Sequence, residues 1–517
     1  MSTQIQAGSS PRSEDEYLGV GASFGYGFQH VLTMYGGIIA PPLIVGGAAG
    51  LSGGEQALLV ACCLFIGGLA TVLQSFGIPF FGSQLPLVQG TSFASVATMT
   101  AIVTGNGGIQ AVFGAVMVSA FIGFLIAPFF ARIIRFFPPV VTGVVITTIG
   151  LSLFPTAGEW IMGGADVAAS GDSSTIVKSV CLAGITLLII LLLSKVGSAA
   201  VSRLSILVGI VLGTVVATLL GMADFSDVGQ GAVFAFPQPF AFGLPTFDLA
   251  SIVSMTIVML VILTETTADV LAVGQIVGSR VDRRRIGDGL RADMAASFAA
   301  PVFNGFTQSA FAQNVGLVAI TGVKSRFVVT CGGVIMLVLG LLPVLGRVVA
   351  AVPPPVLGGA GIVLFGTVAA SGIRTLSTVE YEGTSNLIIV SASLGVGLLP
   401  VVKPDIYSGF PSWFETIFHS GISSAAVVAV LLNLLFNELK LGNPPAGESS
   451  VFASAPPRFV PIEALEQLRG RLHEGDVVRD GKIVDASGVE VPCVTASGQV
   501  VESPVIDPPT QTSNERT

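Results

Sequence analysis

Charge is scarce in this chain. Asp, Glu, Lys and Arg make up 10% of its 517 residues, whereas soluble domains carry about 25%. With 52% hydrophobic residues as well, an ordinary soluble enzyme is excluded. Positive charge is scarcer still: 23 Lys and Arg against 31 Asp and Glu give a net charge of -8, which argues against a nucleic-acid partner. The five cysteines (Cys62, Cys63, Cys181, Cys331, Cys493) are odd in number and lack metal-ligand spacing. Four of them lie in apolar runs, where a small buried hydrophobe is the default role. The polar start has no basic region followed by a short apolar segment, so no cleaved signal peptide is expected. There is no nucleotide-binding P-loop, no metal-ligand cluster and no nucleophile–base constellation, so neither an enzyme nor a cofactor is expected. With 64 glycines and 29 prolines, a plain helical bundle is excluded too.

What the chain has in abundance is apolar runs. Four charged residues lie in residues 1–17 and 19 in residues 437–517, leaving 31 across residues 18–436. That central stretch reads as a membrane domain, flanked by a polar N-terminal segment (1–17) and a soluble tail (437–517). Runs of about 20 residues give about fourteen helical crossings, the first starting near Gly21 and the last near Ser412. The third, near Leu85, opens with GSQLPLVQGTSF, and the tenth, near Gln308, is flanked by FTQSAFAQNVG. Polar, glycine-containing backbone at membrane depth must be buried in protein or line a cavity. The two segments hold matched places in two sets of seven crossings, about residues 18–223 and 247–436. Interrupted segments at matched places point to a transporter with inverted repeats and a site at the midplane. An odd number of crossings per half makes the halves inverted.

Fourteen crossings sort the loop charges by side. Arg132, Arg135, Lys195, Arg203, Arg280, Arg283, Arg284, Arg285, Lys324, Arg326, Arg374 and Lys440 fall on one side. Glu159, Asp166, Asp172, Asp224 and Asp227 fall on the other, so both termini are expected to be cytoplasmic. In the tail, a short helix over 461–472 and a hairpin in DVVRDGKIVDASGVEV are expected.

Few ionisable residues remain inside the crossings, and such groups are costly enough to be functional candidates. His30 lies in the first run; a lone membrane histidine serves structure as readily as function. Glu265 and Asp269 stand one turn apart on one face of the eighth, where two ionised carboxylates would repel. Asp293 lies near the expected start of the ninth. Asp269 and Asp293 could instead hold helices together. A carboxylate accepts a pair of N–H groups, Gln313 offers a donor and an acceptor, and Phe93 offers a stacking face. Backbone N–H groups freed where the interrupted segments begin could hold carbonyl oxygens. The chemistry suits a neutral or weakly acidic planar molecule.

At these residues the chain resembles the nucleobase–ascorbate transporters, the nucleobase:cation symporters of the xanthine/uracil permease type. The resemblance runs from about Gly19 to Leu441 on four blocks: FQH at 28–30, LPLVQGTSFA at 85–94, ETTADVLAVG at 265–274 and AFAQNVGLVAITGVKSR at 310–326. It implies an all-α polytopic membrane protein of fourteen segments in a 7+7 inverted repeat. Helices 1–4 and 8–11 form a core domain and 5–7 and 12–14 a gate domain, with two short strands framing the substrate. By motif, Glu265 resembles the carboxylate that binds the base, Gln313 its second partner and Asn314 the adjacent specificity residue. Phe93 matches the stacking aromatic, with backbone at Ala94 beside it, and Gln29 and His30 match the pair that shapes the site from helix 1. Asp269 and Asp293 match acidic positions tied to core integrity and coupling. A homodimer is implied as well. Gln at 313 resembles members that take xanthine and uric acid. The family usually has Gly where Ala268 stands, and a Pro-Tyr-Thr-like stretch where Thr307, Gln308 and Ser309 stand. The expectation is import of a purine base with protons across the cytoplasmic membrane by alternating access. A uracil symporter is the first alternative. An anion exchanger or channel is the second, although Arg and Lys lie mostly in loops.

Overall fold

The computed structural model describes residues 12–130, 136–164, 167, 170–198, 201–202, 204–226, 228–381 and 385–439, and five short strands beyond them. Among the loop charges used above, Arg132, Arg135, Asp166, Arg203, Asp227 and Lys440 lie outside the described residues. The chain divides into two compact units, Met1–Ala446 and Gly447–Thr517.

In the first unit, helices α1 (Val20–Ala48) and α2 (Gly53–Phe76) are joined by a tight turn. Ser52 starts α2 through a capping box with Glu55, so two orphan N–H groups at the helix start are satisfied. Next come strand β1 (Gln89–Thr91), a 3-10 turn at Phe93–Ser95, α3 (Val96–Ile102) and α4 (Gly108–Ile126). Then follow α5 (Pro139–Ser152), α6 (Phe154–Ile161), α7 (Ser173–Val196) and α8 (Ser205–Leu219). Helix α9 (Leu249–Val277) begins where the Asp248 carboxylate accepts from Ser251 N at 2.8 Å, and ends at Gly278, whose φ of 75° suits glycine. After it come α10 (Arg283–Ala299), strand β2 (Gln308–Ala310) and α11 (Ala312–Thr321). The last helices are α12 (Arg326–Gly340), α13 (Pro343–Ala350), α14 (Pro354–Leu376), α15 (Asn386–Val402), α16 (Ser412–Phe418) and α17 (Gly421–Asn433).

Among the described residues, eight helical stretches are long and apolar enough to cross a membrane, or nine if α12 and α13, bent by 79°, are one span. Fourteen crossings were expected; the remaining runs form shorter or broken helices, for physical reasons. The third and tenth runs spend their first residues on strands, so only the apolar stretches Phe93–Gly105 and Ala312–Thr321 remain helical. The ninth run begins at Arg283, not near Leu290, because Asp282 accepts from Arg285 N at 2.8 Å and starts the helix earlier. This corrects the place of Asp293, which lies well inside α10. The fourteenth run is divided at His419–Ser420 into α16 and α17. Apolar side chains face outward along these helices; α7 exposes Leu188, Leu191 and Leu192, an arrangement that needs a lipid surround.

Strands β1 and β2 pair antiparallel, with Gln89 opposite Ala310 and Thr91 opposite Gln308. Every residue of both is buried, so their backbone groups need protein partners. Two hydroxyls supply them on the outer sides. Thr71 Oγ1 on α2 accepts from Gln89 N at 2.9 Å and donates to Gln89 O at 3.1 Å. Ser297 Oγ on α10 accepts from Gln308 N at 2.8 Å and donates to Gln308 O at 3.4 Å. Each strand is thus held at its first glutamine by a hydroxyl of a neighbouring helix. Gly90 is required by close approach: a Cβ there would lie 2.7 Å from the Phe311 ring.

In the second unit, β3 (Val460–Pro461), β6 (Cys493–Val494) and β7 (Val500–Val501) form one small sheet in that order. Strands β4 (Val477–Arg479) and β5 (Lys482–Val484) form the expected hairpin. Pro461 belongs to β3, and residues 462–472 of the expected tail helix lie outside the described residues.

Candidate functional site

Helices α1, α3, α9 and α11 gather around the strand pair. Helix α9 packs against β2, α11, α3 and the Phe93–Ser95 turn, while α1 packs against β1, α3 and α11. The four motif blocks, far apart in sequence, therefore meet at one place.

Glu265 is half-buried on α9 and makes no hydrogen bond or ion pair with the described residues. Gln313, half-buried in the first turn of α11, likewise has no hydrogen-bond partner for its amide among the described residues. A carboxylate and an amide with no partner among the described residues, one on a full helix and one at a half-helix start, offer two acceptor oxygens, a donor and a further acceptor. Gln29 is half-buried on α1, and its carbonyl accepts from Thr33 Oγ1 at 2.9 Å.

Asn314 is fully buried and points to α1. Its amide nitrogen donates to His30 Nδ1 at 2.9 Å and to His30 O at 3.2 Å. With Nδ1 accepting, the imidazole proton lies on Nε2. His30 is buried beside it, so the two residues form a cross-link between α11 and α1.

The other acids divide in role. Thr266 Oγ1 donates to Asp293 Oδ2 at 2.7 Å and accepts from Ala310 N at 3.4 Å, which connects α10, α9 and β2. Asp293 thus has a structural contact that the sequence left open. Asp269 is buried one turn beyond Glu265 on the same face of α9, and its Oδ2 has no hydrogen-bond partner among the described residues. Among the described residues no group of His, Cys, Asp and Glu is arranged to hold a metal ion.

Phe93 is buried, and its ring meets Phe365 of α14 edge to face, centroids 6.2 Å apart. Phe365 in turn packs against Trp160 of α6 at 6.3 Å. This row joins the strand region to α6 and α14. Sequence reading missed Phe365 and Trp160; the only signal was that Trp160 is one of two tryptophans in the chain. Ala94 is buried, and its N–H donates to Ser92 Oγ at 3.3 Å, so this backbone group already has a partner. Gln308, at the departure from the family pattern, donates its amide to Phe306 O at 2.9 Å.

Apolar helices that face outward, a buried strand pair at two half-helix starts and polar groups open beside it define a multi-pass membrane transport protein. The model of the Permease family matches residues 21–406, and the chain belongs to this xanthine/uracil-type permease family. The chain is 40% identical over 419 residues to a xanthine permease of Bacillus subtilis, covering 81% of this chain and 94% of that protein. It is 39% identical over 426 residues to the uric acid transporter UacT of Escherichia coli, covering 82% of this chain and 88% of that protein. Among solved structures, the transmembrane domain of the cyanobacterium bicarbonate transporter BicA matches with a TM-score of 0.55 at 16% identity. That match covers 76% of this chain and 97% of the BicA chain, and the likeness is one of fold. The family and these relatives are permeases and transporters, not enzymes.

Proposed function

We propose that this permease imports a purine base, xanthine or uric acid, together with protons across the cytoplasmic membrane. The observation that carries the reading is the open pair of hydrogen-bonding groups, Glu265 on α9 and Gln313 at the start of α11, beside a buried strand pair. Relatives named for xanthine and uric acid, at 40% and 39% identity, support the choice of base. In this reading the Glu265 carboxylate accepts an N–H pair of the base, and the Gln313 amide meets a neighbouring carbonyl and N–H. The amide suits urate better than a second carboxylate would, because like charges repel. Phe93 gives its ring face once Phe365 withdraws. Gln29 and His30 shape the wall from α1, Asn314 holds His30 in place, and backbone near Ala94 completes the cradle.

Transport proceeds by alternating access in this reading. The body that carries the strand pair (α1–α4 and α9–α12) shifts against α5–α8 and α14–α17. The shorter helices complete fourteen crossings in a 7+7 inverted repeat, about residues 18–223 and 247–436, with both termini cytoplasmic. The matching hydroxyl clamps of Thr71 on β1 and Ser297 on β2 support that symmetry. Proton coupling would run through the carboxylates of Glu265, Asp269 and Asp293, with one protonation tied to occupancy. Residues 1–17 and 437–517 are the cytoplasmic segments, and two copies of the chain assemble as a dimer.

A competition panel in cells lacking endogenous base uptake tests the reading. Labelled xanthine uptake should be displaced by xanthine and urate, and should collapse with the proton gradient. Displacement by uracil alone would make it a uracil carrier, and uptake that follows sodium instead would remove the proton.

A further inference from the structure

An apolar cavity of about 360 Å³ lies apart from the strand pair, along the outer side of α2 and α10. Helix α2 lines it with Leu69, Leu73 and Phe76, the following turn with Ile78, and α10 with Ala295 and Ala299. Phe76 and Ile78 are exposed at one end. That end is also where the charge of α10 gathers. Arg291 precedes Ala295 by four residues and Ala299 by eight, so it lies on the same face of the helix, one turn beyond the cavity. Its Nη1 donates to Phe80 O at 3.0 Å, two residues from the Ile78 of the lining.

From Arg280 to Arg291 the chain holds five arginines and two aspartates, Asp282 and Asp288. Arg285 is turned inward, paired with Glu14. Asp288 is shared between Arg291 and Arg284, so it cannot neutralise both. The Arg284 side chain is 76% exposed and its Nε lies 3.8 Å from Asp288. A lipid-exposed apolar slot that opens at a basic rim fits a ligand with a hydrocarbon chain and an anionic head.

We propose that this groove binds an anionic phospholipid, its acyl chain along α2 and α10 and its phosphate against Arg284 and Arg291. Basic rims at helix ends attract anionic head groups, each arginine near the surface adding about a fivefold preference. The site is independent of Glu265 and of the transported molecule.

The full chain, purified in detergent and supplied with phosphatidylglycerol or phosphatidylcholine, is examined by native mass spectrometry for retained lipid. Two arginines against one aspartate leave one net positive charge at the rim, so phosphatidylglycerol should be retained about fivefold over phosphatidylcholine. Arg284→Gln alters only a surface side chain and should bring the two lipids close to parity. Ala295→Phe fills the slot and should lower retention of both; Ala299→Leu does the same should the larger ring prevent folding. Equal retention of the two lipids by the unaltered protein overturns the proposal. So does a preference that survives Arg284→Gln and Arg291→Gln together. Inorganic phosphate that binds through Arg284, with lipid retention indifferent to Ala295→Phe and Ala299→Leu, would make the rim a simple anion site and overturns it too.

Discussion

Glu14 Oε1 lies 2.6 Å from Arg285 Nη2, with the carboxylate wholly buried although 271 positions separate the two residues. Ser279 Oγ donates to the same carboxylate oxygen at 2.7 Å, while Arg285 donates to Ser83 O at 2.6 Å and Gln84 O at 2.9 Å. Next door, Asp15 pairs with Arg326 at 2.6 Å, and Ser325 Oγ donates to Glu16 O at 2.6 Å. Residues 13–16 therefore join the chain after α2 and α9 to the starts of α10 and α12. Helices α2 and α10 hold the two strands through Thr71 and Ser297, so the segment braces the helices that carry the strand pair.

Removing the Glu14 charge should destabilise the protein by about 3 kcal/mol at neutral pH, since a buried guanidinium is left without its partner. Burial raises the Glu14 carboxyl, but hydrogen bonds from Ser279 and Arg285 and the nearby positive charge outweigh it, leaving it below its usual 4.5. A carboxyl lowered in the folded state contributes stability above its unfolded pKa and loses it as pH falls through the folded value. Thermal melting of the purified protein should show unaltered chain and Glu14→Gln far apart at pH 7, converging as the pH falls below about 4.5. Equal melting at pH 7 would mean that the pair adds nothing.

The His30–Asn314 link predicts coupled effects on uptake. Asn314→Ala leaves His30 Nδ1 buried without a donor, a loss of about 1–3 kcal/mol in the placement of α1 against α11. KM for the base should rise about tenfold, and His30→Ala should do much the same. Because both variants break one link, the double variant should be little worse than either single one. Fully additive effects on KM would show that the two residues act separately.

Such links explain which features could be read from sequence. A carboxylate in an apolar run is visible at once, as Glu265 and Asp269 were, because lipid makes it expensive. A break in the helices was visible as polar backbone at membrane depth, the strands themselves only through the family resemblance, and helix periodicity placed Glu265 and Asp269 on one face. Partners across the fold were not visible. Thr266 and Phe365 look like ordinary helix residues until the fold brings Asp293 and Phe93 against them. Glu14, in a polar segment that reads as a solvated tail, becomes one of the most buried charges only after α10 delivers Arg285. Hydropathy runs count strand and half-helix alike, so they did not show which runs are long helices, and the charged start of α10 hides a helix that Asp282 begins.

Glu265→Gln should separate activity from stability. Among the described residues the carboxylate has no partner to lose, and an amide is cheaper to hold in an apolar surround, so the variant should melt no lower than the unaltered protein. Uptake of the base should nevertheless fall about a hundredfold, the loss expected when a pair of hydrogen bonds to a charged group is replaced by bonds to a neutral one, at about 1.4 kcal/mol each. Labelled uptake set beside the amount of protein in the membrane fraction measures both. Normal uptake by this variant would remove Glu265 from the site.

Thr71 and Ser297 give the most direct physical test of the proposed 7+7 repeat. Each hydroxyl accepts from the N–H and donates to the C=O of the first glutamine of its strand, and every residue of both strands is buried. Thr71→Val keeps the shape and removes the hydroxyl, leaving the Gln89 groups unmatched; Ser297→Ala does the same to Gln308. Each should cost about 1–3 kcal/mol of stability, the penalty for a buried backbone group left unsatisfied. Ser297→Thr, which restores the hydroxyl, should recover most of it. If the halves are built alike, Thr71→Val and Ser297→Ala should lower the melting temperature by similar amounts and slow uptake together. A large loss from one and none from the other would show that a single strand, with its own helix, positions the site.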